Sequence, residues 1–192
     1  KTAFIRQFAE NTFSERYFAT VVEECFANTV ELDGYPMIVT LWDIVGRNSL
    51  EKHRNIRYDG CILMYDVTAP ASFESLTRWR DKFLKRFQPE NRCKFPFVLV
   101  GTKVDLAGYD TSYVEWTHPW STNLPHFFVS SKTLTNFDEA FKVIIRLASE
   151  YKSSIDSSFS FVNSQGSDDQ PLIRPSSESR CFKCCSCHCN IS

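Results

Sequence analysis

Hydrophobic residues recur along this chain in two alternating rhythms, one of helical and one of strand spacing. Residues 3–10 place Phe4, Ile5 and Phe8 at a helical period. Residues 12–26 lack a period and read as an extended loop. Residues 27–33 alternate polar and apolar, as a half-buried strand does. Asp33-Gly34 then predicts a hairpin turn into a returning strand from Met37 to Trp42. Three nearly continuous apolar runs follow, Cys61–Val67, Phe97–Val100 and Phe127–Val129. Such runs suit strands of a parallel sheet buried on both faces. Ser72 predicts the cap of a helix reaching Phe87, with Glu74 early and Lys82, Lys85 and Arg86 late, in the sense that the helix dipole favours. Phe73, Leu76, Trp79, Phe83 and Phe87 share one face of it. A last helix over 137–151 offers Phe137, Phe141, Ile144, Ile145 and Leu147 for burial, while Pro119 argues against a long helix across 113–123. Strands alternating with helices predict one α/β domain.

Composition adds boundaries. The chain has 192 residues, 43% of them hydrophobic and 15% aromatic, enough for one domain with a full core and a tail. A net charge of -1 gives no bulk electrostatic reason to bind nucleic acid. No apolar run reaches the roughly 20 residues that span a bilayer, and no secretory signal is visible, which predicts an intracellular protein. From Ser153 onward the sequence turns to Ser, Asp, Pro and Gln, with little to bury. The expected organisation is a domain over 1–151, a disordered Ser-rich linker over 152–180, and a Cys-rich tail over 181–192. Of eight cysteines, Cys25, Cys61 and Cys93 are scattered, as small buried hydrophobes are; Cys181, Cys184, Cys185, Cys187 and Cys189 crowd the tail.

Three short motifs sit where predicted strands end: Asp43-Ile44-Val45-Gly46, Thr102-Lys103-Val104-Asp105 and Ser130-Ser131-Lys132. An open α/β sheet places its ligand loops at such strand ends. A carboxylate there, as at Asp43, can hold Mg2+ through water. In this order, with Lys1-Thr2 before them and cysteines after, the motifs resemble a small GTPase of the Ras superfamily. The resemblance covers residues 1 to about 151. It implies a P-loop NTPase three-layer sandwich, mostly parallel, with one antiparallel edge strand, binding GTP or GDP with Mg2+.

The resemblance also implies roles. Lys1 and Thr2 would close a phosphate-binding loop, its glycines and strand expected ahead of Lys1; the Lys reaches the phosphates and the hydroxyl binds Mg2+. Tyr17 would cover the phosphates, Thr20 would close over Mg2+ and the terminal phosphate, and Gly46 would offer its N–H to that phosphate. Phe13 would lie against the guanine edge. Thr102, Lys103 and Asp105 would read guanine, with a buried Asp105 accepting from N1 and N2 and the stem of Lys103 along the base. Ser130, Ser131 and Lys132 would meet guanine O6. Arg47 stands where the family usually has a water-orienting Gln. A guanidinium only donates, so hydrolysis should be slow. Arg47, Lys52, His53, Arg54 and Arg57 would form a charged second switch that partners read.

Tyr65 to Phe73 and Trp79-Arg80-Asp81 look most like Rab proteins of the late-endosomal type. Thr20 to Glu23 and Thr102 to Asp105 lean toward Rho. The expected function is a divergent Rab-like switch in membrane traffic or signalling, with effector, exchange-factor and GTPase-activating partners. A non-enzymatic pseudo-GTPase adaptor is the alternative. Cys189-Asn190-Ile191-Ser192 fits C-a-a-X, with the terminal Ser favouring farnesyl. One lipid anchors weakly, so Cys184, Cys185 and Cys187, with Cys181, are palmitoylation candidates. The expected location is the cytoplasmic face of an endosomal or plasma membrane. Cys181, Cys184, Cys187, His188 and Cys189 have zinc-ligand spacing but lack a second separated Cys/His pair.

Overall fold

The computed structural model describes residues 1–16, 24–44, 56–106, 120–163 and 180–188, with side chains as far as residue 156. Among the described residues there are six strands: β1 Glu24–Leu32, β2 Tyr35–Asp43, β3 Gly60–Asp66, β4 Phe97–Thr102, β5 His126–Val129 and β6 Arg180–His188. Four helices accompany them: α1 Thr2–Glu10, α2 Pro70–Glu74, α3 Leu76–Phe87 and α4 Phe137–Asn163. The strands form one sheet in the order β1-β2-β6-β3-β4-β5. β1 is an edge strand antiparallel to β2, and every other pairing is parallel. This is the predicted α/β sandwich with one antiparallel edge.

Alternation along each strand feeds a core on either side. Cys61, Leu63 and Tyr65 of β3 and Phe97 and Leu99 of β4 join Phe73, Leu76, Trp79 and Phe83 of α2 and α3. Ile62, Met64, Val98 and Val100, with Val39 and Leu41 of β2, join Phe4 and Ile5 of α1 and Phe141, Ile144 and Ile145 of α4. Rings stack in the second core, with Phe4 and Phe141 centroids 4.6 Å apart and Phe8 and Phe141 4.2 Å apart.

Local chemistry sets the turns. Asp33 (φ 53°) and Gly34 (φ 81°) are both left-handed, the backbone of a two-residue hairpin turn whose twist suits its strands. Asn11 ends α1 in the left-handed conformation, where its N–H bonds the Gln7 carbonyl and its side chain accepts from Gln7 Nε2 at 2.9 Å.

Several expectations are corrected. β1 begins at Glu24, inside the stretch read as loop, because its inward positions are only half-buried and its pattern is faint. Ser72 is not a cap. Pro70 opens α2, and Ser72 Oγ donates to the Ala69 carbonyl at 2.6 Å and accepts from the Asp66 N–H at 3.0 Å. The helix breaks at Ser75 and resumes as α3. α4 continues past residue 151 to Asn163, so the first part of the expected linker is helical, and Ala148 takes the fully buried place expected of Leu147. Arg180–His188 form β6, within the expected Cys-rich tail. Residues 164–179 and most of 113–123 lie outside the described residues. Among the described residues no helix is long and apolar enough to cross a membrane.

Tyr65 is fully buried and its hydroxyl meets His126 Nε2 at 2.8 Å. Burial pushes the His126 pKa down to about 4, so the ring is neutral at neutral pH. Gly101 leaves room for this tyrosine, since a Cβ there would lie 2.7 Å from the Tyr65 hydroxyl oxygen and 2.9 Å from Val67 Cγ1. Gly101→Ala should therefore cost about 1–3 kcal/mol, seen as a lower urea midpoint at unchanged slope. An unchanged midpoint would show that Tyr65 is free to move.

Candidate functional site

The motif residues gather at the carboxyl ends of the parallel strands, in two groups. The first surrounds Asp43, the last residue of β2. Its side chain is fully buried. Oδ2 accepts from Thr2 Oγ1 at 2.6 Å. Oδ1 faces the Lys1 ammonium as an ion pair, and no hydrogen bond reaches it among the described residues. The same ammonium donates to the Ile44 carbonyl. Both charged groups are thus neutralised where water is scarce, which is the condition for a buried charge to persist. One oxygen of Asp43 still lacks a directed donor.

A threonine hydroxyl and a carboxylate beside a helix start are hard oxygen donors of the kind Mg2+ takes, directly or through water. The donor set fits such an ion, with Thr2 and Asp43 as its holders.

The second group surrounds Ser130, just past β5 and fully buried. Its Oγ donates to Asp105 Oδ1 at 2.7 Å and accepts from the N–H groups of Lys132 at 3.2 Å and Thr133 at 3.1 Å. The Ser130 N–H bonds the Thr135 carbonyl, and Asn136 Nδ2 donates to the Phe128 carbonyl at 2.9 Å. One hydroxyl thereby aims a carboxylate and folds a loop. Thr102, buried at the end of β4, donates from Oγ1 to the Tyr65 carbonyl at 2.9 Å. Lys103 adopts a left-handed backbone (φ 69°), a strained setting for a lysine and one that gathers at binding loops.

Two links join these pieces. Lys103 Nζ lies 2.5 Å from Asp66 Oδ2 at the end of β3. Burial works to raise the Asp66 pKa, but hydrogen bonds from Lys103 and Thr68 outweigh it and hold the carboxyl below its ordinary value. Lys132 Nζ donates to Glu15 Oε1 at 2.5 Å, tying the segment that carries the part-exposed Phe13 to the Ser130 loop. This contact lowers the Glu15 pKa and raises that of Lys132.

The structure therefore brings together Lys1, Thr2 and Asp43, and separately Asp105, Ser130 and Lys132, with Lys103 between. Ser131 is half-buried in the same loop. Two details differ from expectation. Asp105 is exposed rather than buried. The Lys103 head pairs with Asp66. Asp66 and Glu15 are participants that the motifs did not reveal; a carboxylate closing β3, and an acidic residue beside Phe13, were the available signals. Tyr17, Thr20, Gly46 and Arg47 lie outside the described residues, as does Cys189. Cys184, Cys185 and Cys187 belong to β6. The surface concavity lined by Glu74, Arg78, Asp81 and Lys82 contains no motif residue.

The family model described as Ras family matches residues 1–150. The Ras-related protein Rab-7b of Paramecium octaurelia is 34% identical over 154 residues, covering 77% of this chain and 75% of the relative. The Ras-related protein RABG3b of Arabidopsis thaliana is 33% identical over 157 residues, covering 77% of each. The Ras-related protein Rab7 of Cenchrus ciliaris is 32% identical over 156 residues, covering 77% of this chain and 76% of the relative.

Ser130→Ala removes the donor to Asp105 and the acceptor for two amides at once. It should cost about 1–3 kcal/mol and speed hydrogen exchange at the Lys132 and Thr133 amides. Unchanged exchange at both would mean that the loop holds its shape without this hydroxyl.

Proposed function

The chain belongs to the Ras family as a divergent Rab-like small GTPase, and from that premise we propose that it is a guanine-nucleotide switch in membrane traffic. The observation that carries the reading is the meeting of three motif loops at one edge of the sheet, with Lys1, Thr2 and Asp43 at one end and Asp105, Ser130 and Lys132 at the other.

Each group has work that its chemistry suits. Asp105, aimed by Ser130, accepts from guanine N1 and N2, a pattern that adenine does not match. The Ser130-Ser131-Lys132 loop offers the Ser131 N–H to the guanine oxygen, and Phe13 covers the base edge. Thr102 and Lys103 shape the loop that carries Asp105. At the other end the Lys1 ammonium serves the outer phosphates, with Tyr17 beside them. Thr2, Asp43 and Thr20 would hold a Mg2+, which would supply neutralisation of the phosphate charge. Thr20 and Gly46 are the contacts that a terminal phosphate makes and its loss releases, so the segments around them change state with the nucleotide. Effectors, exchange factors and GTPase-activating proteins would read that change.

Arg47 supports slow hydrolysis, because it cannot accept a hydrogen bond from the attacking water. The tail supports a lipid anchor, with a prenyl group on Cys189 and acyl groups on Cys184, Cys185 or Cys187. The likeness of Tyr65 to Phe73 to late-endosomal Rab proteins supports a seat on the cytoplasmic face of an endosomal membrane.

Asp105→Ala should weaken GDP binding by about 10³-fold or more while leaving the fold intact, measured with a fluorescent GDP analogue. Retention of wild-type affinity would remove Asp105 from base recognition. Arg47→Gln should raise single-turnover GTP hydrolysis by about tenfold or more. An equal or lower rate would mean that Arg47 does not limit it.

A further inference from the structure

α1 ends at Asn11, and the next five residues, Thr12 to Arg16, belong to no helix or strand. All five are exposed. Phe13, a large apolar residue, keeps 39% of its surface open to solvent. Burial therefore does little to hold this stretch in place. Its other hydrogen bonds are local. Thr12 Oγ1 donates to Glu10 Oε2 at 3.2 Å, and the Arg16 N–H donates to Ser14 Oγ at 3.3 Å. Each joins residues two apart and fixes nothing at longer range. Among the described residues, one polar contact leaves the stretch for the body of the domain: Glu15 with Lys132.

The far end of that contact is anchored. The Lys132 N–H bonds Ser130 Oγ, and the same oxygen donates to Asp105 Oδ1. A continuous chain of contacts thus runs from Asp105 through Ser130 and Lys132 to Glu15, two residues from Phe13. Both charged side chains are wet, with 50% of Lys132 and 74% of Glu15 exposed. Such a pair adds little to the stability of a fold. Its value lies in position, because it sets the place of a segment with no other long-range polar hold among the described residues. In the reading above, the base is read by Asp105 and the Ser130 loop and covered by Phe13. The two segments that the pair joins are then the two that must part for the base to leave.

We propose that Glu15 is a positioning residue for nucleotide retention: its ion pair with Lys132 clasps the Phe13 segment over the base and slows the escape of bound GDP. The role rests on the guanine-nucleotide reading above, and the contact itself does not. Glu15 is assigned no contact with the nucleotide. It acts through Phe13, and on departure rather than on the choice of base, since changes in the hold on a bound ligand fall mainly on its rate of dissociation.

The test follows release of a fluorescent GDP analogue from the full chain in Mg2+. Glu15→Gln keeps the size of the side chain and removes its charge. It should speed release about two- to fivefold at low salt, the range that an exposed ion pair can supply. The association rate and the urea midpoint should stay at the parent's values, which separates a clasp from a structural support. About 1 M salt screens exposed charges. It should bring the parent close to the variant and move the variant little. Equal release by the two at low salt overturns the proposal, as does a urea midpoint that falls along with the faster release. A carbodiimide, which condenses a carboxylate with a neighbouring amine into an amide, checks the contact directly. Peptide mass spectrometry of the treated, folded parent should find Glu15 joined to Lys132. The joined fraction, loaded beforehand, should release the analogue at least about tenfold more slowly. Absence of that amide overturns the clasp. The amide in a chain that takes up no guanine nucleotide would sink the reading of the site, and the retention role with it, while leaving the contact standing.

Discussion

Asp43 carries a carboxylate to a place with no exposure to water, and the surrounding structure is arranged around its charge. An ionised group so placed persists only when paired and hydrogen-bonded. The partners come from the start of α1, where Lys1 supplies the ammonium and Thr2 the hydroxyl. This fastens the first turn of α1 to the end of β2, at the edge of the sheet where its parallel strands finish. Removing one member of such a pair costs about 3–5 kcal/mol, because the other is left buried and uncompensated. The same arrangement is suited to phosphate and metal chemistry. An ammonium, a hydroxyl and an under-donated carboxylate oxygen lie together, and a dianionic ligand with its cation would replace one neutralisation scheme by another.

The opposite end of the site is organised by hydrogen bonds around Ser130. One buried hydroxyl aims Asp105 and gathers two amides, and the left-handed Lys103 turns the preceding loop toward it. Asp66, at the end of β3, pairs with Lys103 of that loop. Because β2, β4 and β5 all finish at one edge, loops far apart in sequence become neighbours without any contact among them being required by local sequence. The sheet supplies the alignment, and side-chain polarity supplies the function.

Periodicity located most of the sheet because β3 and β4 sit between helices and must be apolar on both faces. The hairpin was legible because Asp33-Gly34 tolerates two left-handed residues, as its φ values require. Motif spacing located Asp43, Asp105 and Ser130 because strand ends confine a binding residue to one or two positions. What escaped was long-range or non-local in cause. Glu15 pairs with Lys132 across 117 residues, which no period can announce. Ser72 has the chemistry of a cap, yet its hydroxyl is taken by Asp66 and Ala69, leaving Pro70 to open the helix.

The central claim is that this sheet edge holds a guanine nucleotide. Denaturing the purified full-length protein and separating the released bases tests it most directly. About one guanine nucleotide per chain, retained in Mg2+ and lost to a chelator, is the predicted result. A folded protein that is empty, and that takes up no GTP when Mg2+ is supplied, would contradict it.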